Sequence, residues 1–492
     1  MRVLFFGSCP MPCEGDLPAQ GPGIRTWQLI KPVCDAGHKV RALCLRTEGL
    51  YPEKAGDAII SAPYPNLNVY NFSFEAYTNS QRMRSLVQDF KPDAIVGAAS
   101  VLPNYTAILA RDMAPVWADC FGDPITEIQA KAEVYGCERT AEELFGVWRL
   151  YHAVLIHADR FSALSDAQSH AIVGQLALLG RLGYENAGCP LVYSIPCGVE
   201  EAPSASFDEN LVRGKRVPAD AFVVCFSGSY NTWMDPDHLF EGIEEAMKRL
   251  PNLYFLSIGG GTKGYNEKLY KDFCLKAENS PFKERFLLMG WVPFQDAPRY
   301  YAESNLGINC DRFTYEGVLG SRNRIVQFLA HGLPVATTAL SEISLRLARE
   351  NLVFPFAMKG ASLGAENAEP LPNLLERLAS ETETLRQAGE AGRRYVLEQF
   401  NYERTVKPLL DWLAKPERAP DIKERAKREP LKDDKGVVIE PAYLNEIELA
   451  MDYESSRRQI EFLTGEKRVL DNIRANPFYQ LLKAAKGLFK KP

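Results

Sequence analysis

No apolar run in this chain approaches the length of a bilayer-spanning helix, so a membrane-crossing helix is not expected. Positive charge is not in excess either. Its 57 Lys and Arg against 63 Asp and Glu leave a formal charge of −6, which argues against general nucleic-acid binding. A strand starts at Arg2, so no signal peptide is expected. The 11 cysteines are scattered, and the close pairs Cys9/Cys13 and Cys34/Cys44 lack a second pair at metal-ligand spacing. Neither zinc nor a disulfide framework is expected, and thiols used as small core residues point to a reducing cytoplasm. The glycine loop after the first strand is not GxGxxG with a ribose-binding acid, so NAD is poorly supported. The one Asp-x-Asp pair considered, Asp235/Asp237, reads as helix capping, and no metal site is assigned.

What is present is a soluble globular composition, 46% hydrophobic and 24% charged, over 492 residues, long enough for two domains or more. Arg2–Gly7 reads as a buried parallel strand, followed by a glycine loop through Gly23 and Arg25, a helix containing Pro32, and a strand over Val40–Leu45. That is one Rossmann-like unit. The loop glycines beside Arg25 fit a phosphate or sugar contact, or a purely structural turn. Further strands are read at Ala94–Ala99, Pro115–Ala118, Arg160–Ser165 and Leu191–Ile195. Asp119, at a strand's carboxyl end, either places an acceptor hydroxyl or acts as a base, or else caps the next helix. His152 and His157 fit a core or surface role better than catalysis.

Periodicity lapses over residues 201–219, which read as a linker, and the α/β alternation then restarts. Strands at Ala221–Phe226 and Leu253–Ile258 are followed by Phe286–Met289 and Leu306–Asn309. The first of these ends in a loop holding Gly228, and Asp235 is the natural N-cap of a helix over Pro236–Leu250. Two Rossmann-like halves, 1–200 and 220–399, place a ligand in the cleft between them.

One stretch stands out, SRNRIVQFLAHGLPVATT at 321–338. It predicts a helix over Arg322–His331 with Ser321 as N-cap, stopped by Gly332-Leu333-Pro334 before a short strand. Cations avoid a helix N-terminus because the macrodipole is already positive there, yet Arg322 and Arg324 both lie in the first turn. An anion at that end would account for them, as would two solvated arginines on an ordinary unit.

These segments together resemble the GT-B glycosyltransferases, most closely the retaining family-4-like group of bacterial type. GPGIRTWQLIKPVCDAGHKV, ADRFSALSDAQ and IPCGVE are similar to that family's N-terminal motifs. YYAESNLGIN, GWVPFQDAPRYY and RNRIVQFLAHGLPVATT are similar to its donor-domain motifs, in the right order over roughly residues 1–414. The resemblance implies a nucleotide-diphosphate sugar as donor substrate and no further cofactor. Arg324 stands at the pyrophosphate position and Gln327 where a glutamate holds the ribose. Glu316 lies in the loop toward the transferred sugar, Gly23 and Arg25 face the diphosphate, and Trp291 and Val292 lie against the base. Gly228 completes the expected donor-binding set, while Glu316 and Asp119 are the expected catalytic residues. Two departures accompany the likeness. The Glu316/Gln327 spacing is wider than in the family and its second member is an amide, and Ser227–Asp237 lacks the family's basic pair.

The implied activity is metal-independent, retaining transfer of a sugar to an acceptor hydroxyl, in assembly of a bacterial cell-surface glycan or glycolipid. Alternatives are a donor-binding scaffold without catalysis and a GT-B-fold nucleotide-sugar epimerase. Residues 400–415 are expected to form the helix that crosses back to the first domain. A charged linker and helical extension, 416–475, and a basic amphipathic helix, 476–492, follow. In the final helix Asn476 can cap, and Phe478, Leu481, Leu482, Ala485, Leu488 and Phe489 share a face opposed by lysines. It either touches a membrane surface or packs on the protein. A cytoplasmic location on the inner face of the membrane, with a glycan or lipid-linked acceptor, is the corresponding expectation.

Overall fold

The computed structural model describes residues 1–425 apart from 16, 48, 52–55, 201–208, 263–266 and 359–367, together with Asn472. The chain divides into two compact units, Met1–Arg425 and Ala426–Pro492. All elements below belong to the first. The expected basic helix 476–492, and all of the preceding extension beyond Arg425 except Asn472, lie outside the described residues.

Runs such as Val3-Leu4-Phe5-Phe6, with no exposed surface, become strands covered on both faces, as parallel sheets require. The first sheet contains β1 (Arg2–Cys9), β2 (Lys39–Arg46), β3 (Ala58–Tyr64), β4 (Leu67–Phe72), β5 (Ala94–Gly97), β6 (Val116–Cys120), β7 (Arg160–Ala163) and β8 (Val192–Ser194). Their order is β3-β4-β2-β1-β5-β6-β7-β8, parallel except for the edge pairing of β3 with β4. The second sheet contains β9 (Phe222–Ser227), β10 (Leu253–Ile258), β11 (Phe286–Gly290), β12 (Leu306–Asn309), β13 (Val335–Thr337) and β14 (Phe354–Pro355). It runs β11-β10-β9-β12-β13-β14, all parallel. Strand order reverses between β1 and β5 in one sheet and between β9 and β12 in the other. Each reversal opens a crevice at the strands' carboxyl ends. Two doubly wound α/β halves of GT-B architecture result.

The halves touch through polar contacts. Ser165 Oγ donates to the Leu319 carbonyl at 2.7 Å, and the Glu342 carboxylate accepts from the Asp166 and Ala167 amides at 3.3 and 2.9 Å. Gln20 Nε2 reaches Thr262 Oγ1 at 2.9 Å. Helices Tyr402–Thr405 and Lys407–Ala414 return to the first half, where Val406, Leu409, Trp412 and Leu413 share a buried cluster with Trp117 and Ile195. The Trp117 and Trp412 rings lie 5.5 Å apart.

The described part of the linker is held in place, because Glu303 accepts the amides of Leu211, Val212 and Arg213 at 2.6, 2.8 and 2.7 Å. One expectation about the connecting segments needs correction. The charged run after Pro416 begins as a docked segment. Asp421, in the helix Pro420–Arg425, forms a buried ion pair with Arg181 at 2.7 Å, and the Ala419 amide donates to Asp159. Among the described residues no helix is long and apolar enough to cross a membrane.

Candidate active site

A cavity of about 640 Å³ opens where the two strand-order reversals face each other. The first half lines it with Gln20, Ser100, Gly122 and Glu127 among others, and the second with Gly228, Trp291, Val292, Glu316, Arg322, Arg324 and Gln327. Seven of the expected site residues therefore meet in one space. Gly23, Arg25 and Asp119 do not line it.

The helix Asn323–Ala330 brings its N-terminus to this cavity. Its start differs from expectation, since Arg322 rather than Ser321 occupies the N-cap and no side chain caps the helix. Main-chain donors of its first turn are thus left without a side-chain acceptor. The two arginines have different surroundings. Arg322 is buried and held by carboxylates: its Nε donates to Asp311 at 2.8 Å, and its two terminal nitrogens donate to Glu316 at 3.2 and 3.0 Å. Those carboxylates raise its pKa against the desolvation that would lower it. Arg324 has no such partner among the described residues. Its Nη2 donates to the Ser229 carbonyl at 3.0 Å, and its guanidinium lies 4.2 Å from the Phe226 ring centre. Burial is the largest influence on it and brings its pKa down to about 10, despite the more distant Asp311. The shared phosphate grip expected of the pair is therefore corrected: Arg322 is committed to carboxylates, and Arg324 is the cation left to meet a ligand.

Glycine at 228 fits this placement. Its φ of +97° is a left-handed conformation that other residues adopt at a cost, and a Cβ there would stand 3.9 Å from Arg324 Nη2. Trp291 is oriented by donating Nε1 to the Gly261 carbonyl at 3.0 Å. The Gln327 side chain lines the cavity without a protein hydrogen bond among the described residues.

The expected N-terminal contacts are corrected by burial. Arg25 is 1% exposed and forks onto Asp119 at 2.9 and 2.7 Å, and it also donates to the Ile195 and Pro196 carbonyls. Asp119 additionally accepts from Ser162 Oγ at 2.6 Å and the Ala99 amide at 3.3 Å. Both charges are consumed inside the first half, so neither a diphosphate contact by Arg25 nor an acceptor contact by Asp119 is available. Capping of the next helix falls to Asp123, which accepts from the Ile125 and Thr126 amides. Gly23 serves packing, because a Cβ there would stand 1.9 Å from the Pro10 carbonyl oxygen. The Asp-x-Asp pair divides as a cap and a surface ion pair: Asp235 accepts the His238 amide, and Asp237 meets Lys276 at 2.6 Å.

One cavity carboxyl was not foreseen. Glu127, in the first turns of the helix Pro124–Tyr135, faces the Asp311–Arg322–Glu316 network from the other half. Desolvation, then the charge of Glu316, pushes its pKa up to about 8; Asp123 adds to the rise, while Lys131 and Arg322 oppose it. Glu316 is itself raised, by burial first, with Arg322 opposing. Nothing near Glu127 in the sequence marks it, because the opposing acid arrives from the far half of the chain.

Family models match two parts of the chain: a glycosyl transferase 4-like domain over residues 20–177 and a glycosyl transferase-like domain over 241–411. A search of the curated proteins finds no match. Among solved structures, a sucrose-phosphate synthase from Thermosynechococcus elongatus superposes with a TM-score of 0.60 at 16% identity, covering 84% of this chain and 98% of its own. The HepE protein of Anabaena in complex with UDP-glucose gives 0.55 at 14% identity, covering 84% and 99%. An alpha,alpha-trehalose-phosphate synthase (UDP-forming) from Burkholderia vietnamiensis gives 0.56 at 10% identity, covering 84% and 99%. At these identities the structural likeness speaks for the fold.

Proposed function

Taking as premise that this chain is a glycosyltransferase of GT-B architecture, we propose that it transfers a sugar from a nucleoside-diphosphate donor to an acceptor hydroxyl, without a metal ion and with retention of configuration. The observation that carries this reading is Arg324, a half-buried cation without a carboxylate partner among the described residues, beside a helix N-terminus with no side-chain cap. Charge developing on a departing diphosphate is stabilised there by preorganised donors, the task a divalent ion performs elsewhere. The neutral Gln327 amide hydrogen-bonds the ribose, and Trp291 and Val292 lie against the base. Glu316, held by Arg322, faces the transferred sugar. Enclosure between the two halves limits water and positions the acceptor. The UDP-glucose complex of HepE makes UDP-sugars the first donors to try. Retention rests on the resemblance of the 322–338 segment.

Titration calorimetry with UDP-glucose and related donors tests the site. Arg324→Ala is expected to weaken donor binding about 10- to 100-fold, the range for a lost charge-assisted hydrogen bond. Unchanged affinity in that variant rejects the assignment. The anomeric configuration of the product, read by NMR, tests retention.

The proposal extends to a glycan or lipid-linked acceptor in cell-surface assembly, with the protein peripheral on the inner face of the membrane. The apolar face and lysines of residues 476–492 support that extension. A chain ended at Ala475 is expected to lose sedimentation with anionic liposomes, and equal sedimentation would remove the membrane contact.

A further inference from the structure

A chain of hydrogen bonds crosses from the first half to the helix that carries Arg324. Gln28, on the helix Gly21–Asp35, is 1% exposed and donates Nε2 to the Gly198 carbonyl at 2.9 Å and to Asn323 Oδ1 of the other half at 3.3 Å. Gly198 is itself fixed. A Cβ on it would stand 2.8 Å from the Tyr402 and Thr405 side chains, and the next amide, Val199, donates to the Phe400 carbonyl at 2.7 Å. A carbonyl oxygen only accepts, so it sets the direction of the bonds that follow. It selects the nitrogen of the Gln28 amide, because the swapped amide would press its oxygen against the Gly198 oxygen. That nitrogen in turn selects Oδ1 of Asn323, because the swapped form would bring two donor groups together.

The chain therefore finishes on the Asn323 amide nitrogen. Asn323 is the first residue of the helix Asn323–Ala330 and lines the cavity, and its Nδ2 makes no protein hydrogen bond among the described residues. Gln28 keeps an amide in the interior although its Oε1 is buried there without a partner among the described residues. Such an atom costs stability, and packing alone gives no reason for an amide at that place. The loop Ser227–Asp237 contains no Lys or Arg, and Arg322 is committed to Asp311 and Glu316. A diphosphate held by Arg324 thus has oxygens left for a further donor.

We propose that Asn323 Nδ2 donates to the diphosphate of the bound donor and that Gln28 positions it from the opposite half. The inference rests on the donor-binding reading above and deepens it. The grip is then complete only while the two halves are closed on each other. Parting of the halves breaks the 3.3 Å contact, frees the Asn323 amide to turn and loosens the hold on the diphosphate. Release of the nucleotide and opening of the cleft are thereby linked. A neutral amide suits this place, since it adds a donor without adding the positive charge that a helix N-terminus disfavours.

The test uses the full chain and measures affinity for UDP, GDP, ADP and dTDP by calorimetry, and for the matching nucleosides by saturation-transfer NMR. Asn323→Ala is expected to weaken the preferred diphosphate about 10-fold, the effect of one lost hydrogen bond to a charged group, and to leave its nucleoside unaffected. Asn323→Asp keeps the acceptor that Gln28 needs but replaces the donor with negative charge, so a larger loss than in Asn323→Ala is expected. Gln28→Leu is expected to weaken the diphosphate about 3-fold through misplacement alone. Combined with Asn323→Ala it is expected to add nothing, as for residues acting in series. Unchanged nucleoside binding separates a lost grip from a lost fold. If Asn323→Ala binds the diphosphate as the wild type does, or loses diphosphate and nucleoside alike, the inference is overturned and the donor reading survives. If the two single losses add in the double variant, Gln28 does not act through Asn323 and the link across the cleft is overturned. If the wild type binds none of these diphosphates, the donor reading fails and the inference fails with it.

Discussion

Arg322 is buried and Arg324, two positions on, is half-buried, but their main difference is a difference in partners. Asp311, in the loop after β12, and Glu316, in the helix Tyr315–Leu319, reach Arg322, while Arg324 points instead to a carbonyl and the face of Phe226. The sequence displays two misplaced cations but not which of them is compensated, because compensation depends on where a neighbouring loop folds. The same reasoning explains why Glu127 was illegible and why Asp119, conspicuous at a strand end, was misread. Glu127 has a consequence for stability. Its folded-state pKa lies near 8 against an ordinary 4.5, so between those values the folded chain binds more protons than the unfolded one. Stability is then expected to fall as pH rises from 4.5 toward 8 and to level off above that. Thermal melts across this window should show a shallower decline for Glu127→Gln; an identical slope would mean that the carboxyl titrates normally.

Elements were easier to read than contacts. Strands β1, β2, β9, β10 and β12 were legible because each buries an apolar run on both faces, a signal that survives without knowledge of neighbours. Strand β3 had no expectation attached to it, and its side chains stay mostly exposed along the sheet edge. The order of the linker was not legible, because it comes from Glu303, a residue outside it that grips its amides. Between elements, the Arg25–Asp119 pair ties the helix Gly21–Asp35 to β6 with both side chains fully buried. Asp119→Ala leaves a guanidinium in the interior without its counter-charge. A loss of about 3–5 kcal/mol is expected in urea unfolding. A loss below about 1 kcal/mol, the worth of an exposed pair, would show that the site admits water.

At the scale of the molecule, the first half is completed by residues that come last. Val406, Leu409, Trp412 and Leu413 close a cluster begun at Val3, and Asp421 neutralises the buried Arg181. One crossover helix over 400–415 was expected from resemblance, and the structure forms two, Tyr402–Thr405 and Lys407–Ala414. The docking of Asp421 was not expected, because a charged run reads as solvated unless its partner is known. A chain ended at Gln399 is expected to lose cooperative melting of the first half and to aggregate through the uncovered Trp117 and Ile195 surface, whereas one ended at Arg425 should keep that cooperative melting. Equal melting of the two would show that the returning helices are dispensable.

That arrangement also bears on synthesis. Domains commonly fold in the order in which they leave the ribosome. Here the amino-terminal half waits, unsealed, while the donor half is translated, so the donor half is free to finish first. A nascent chain stalled before residue 400 should present its first sheet to chaperones, and release should follow once residues to about 425 have emerged.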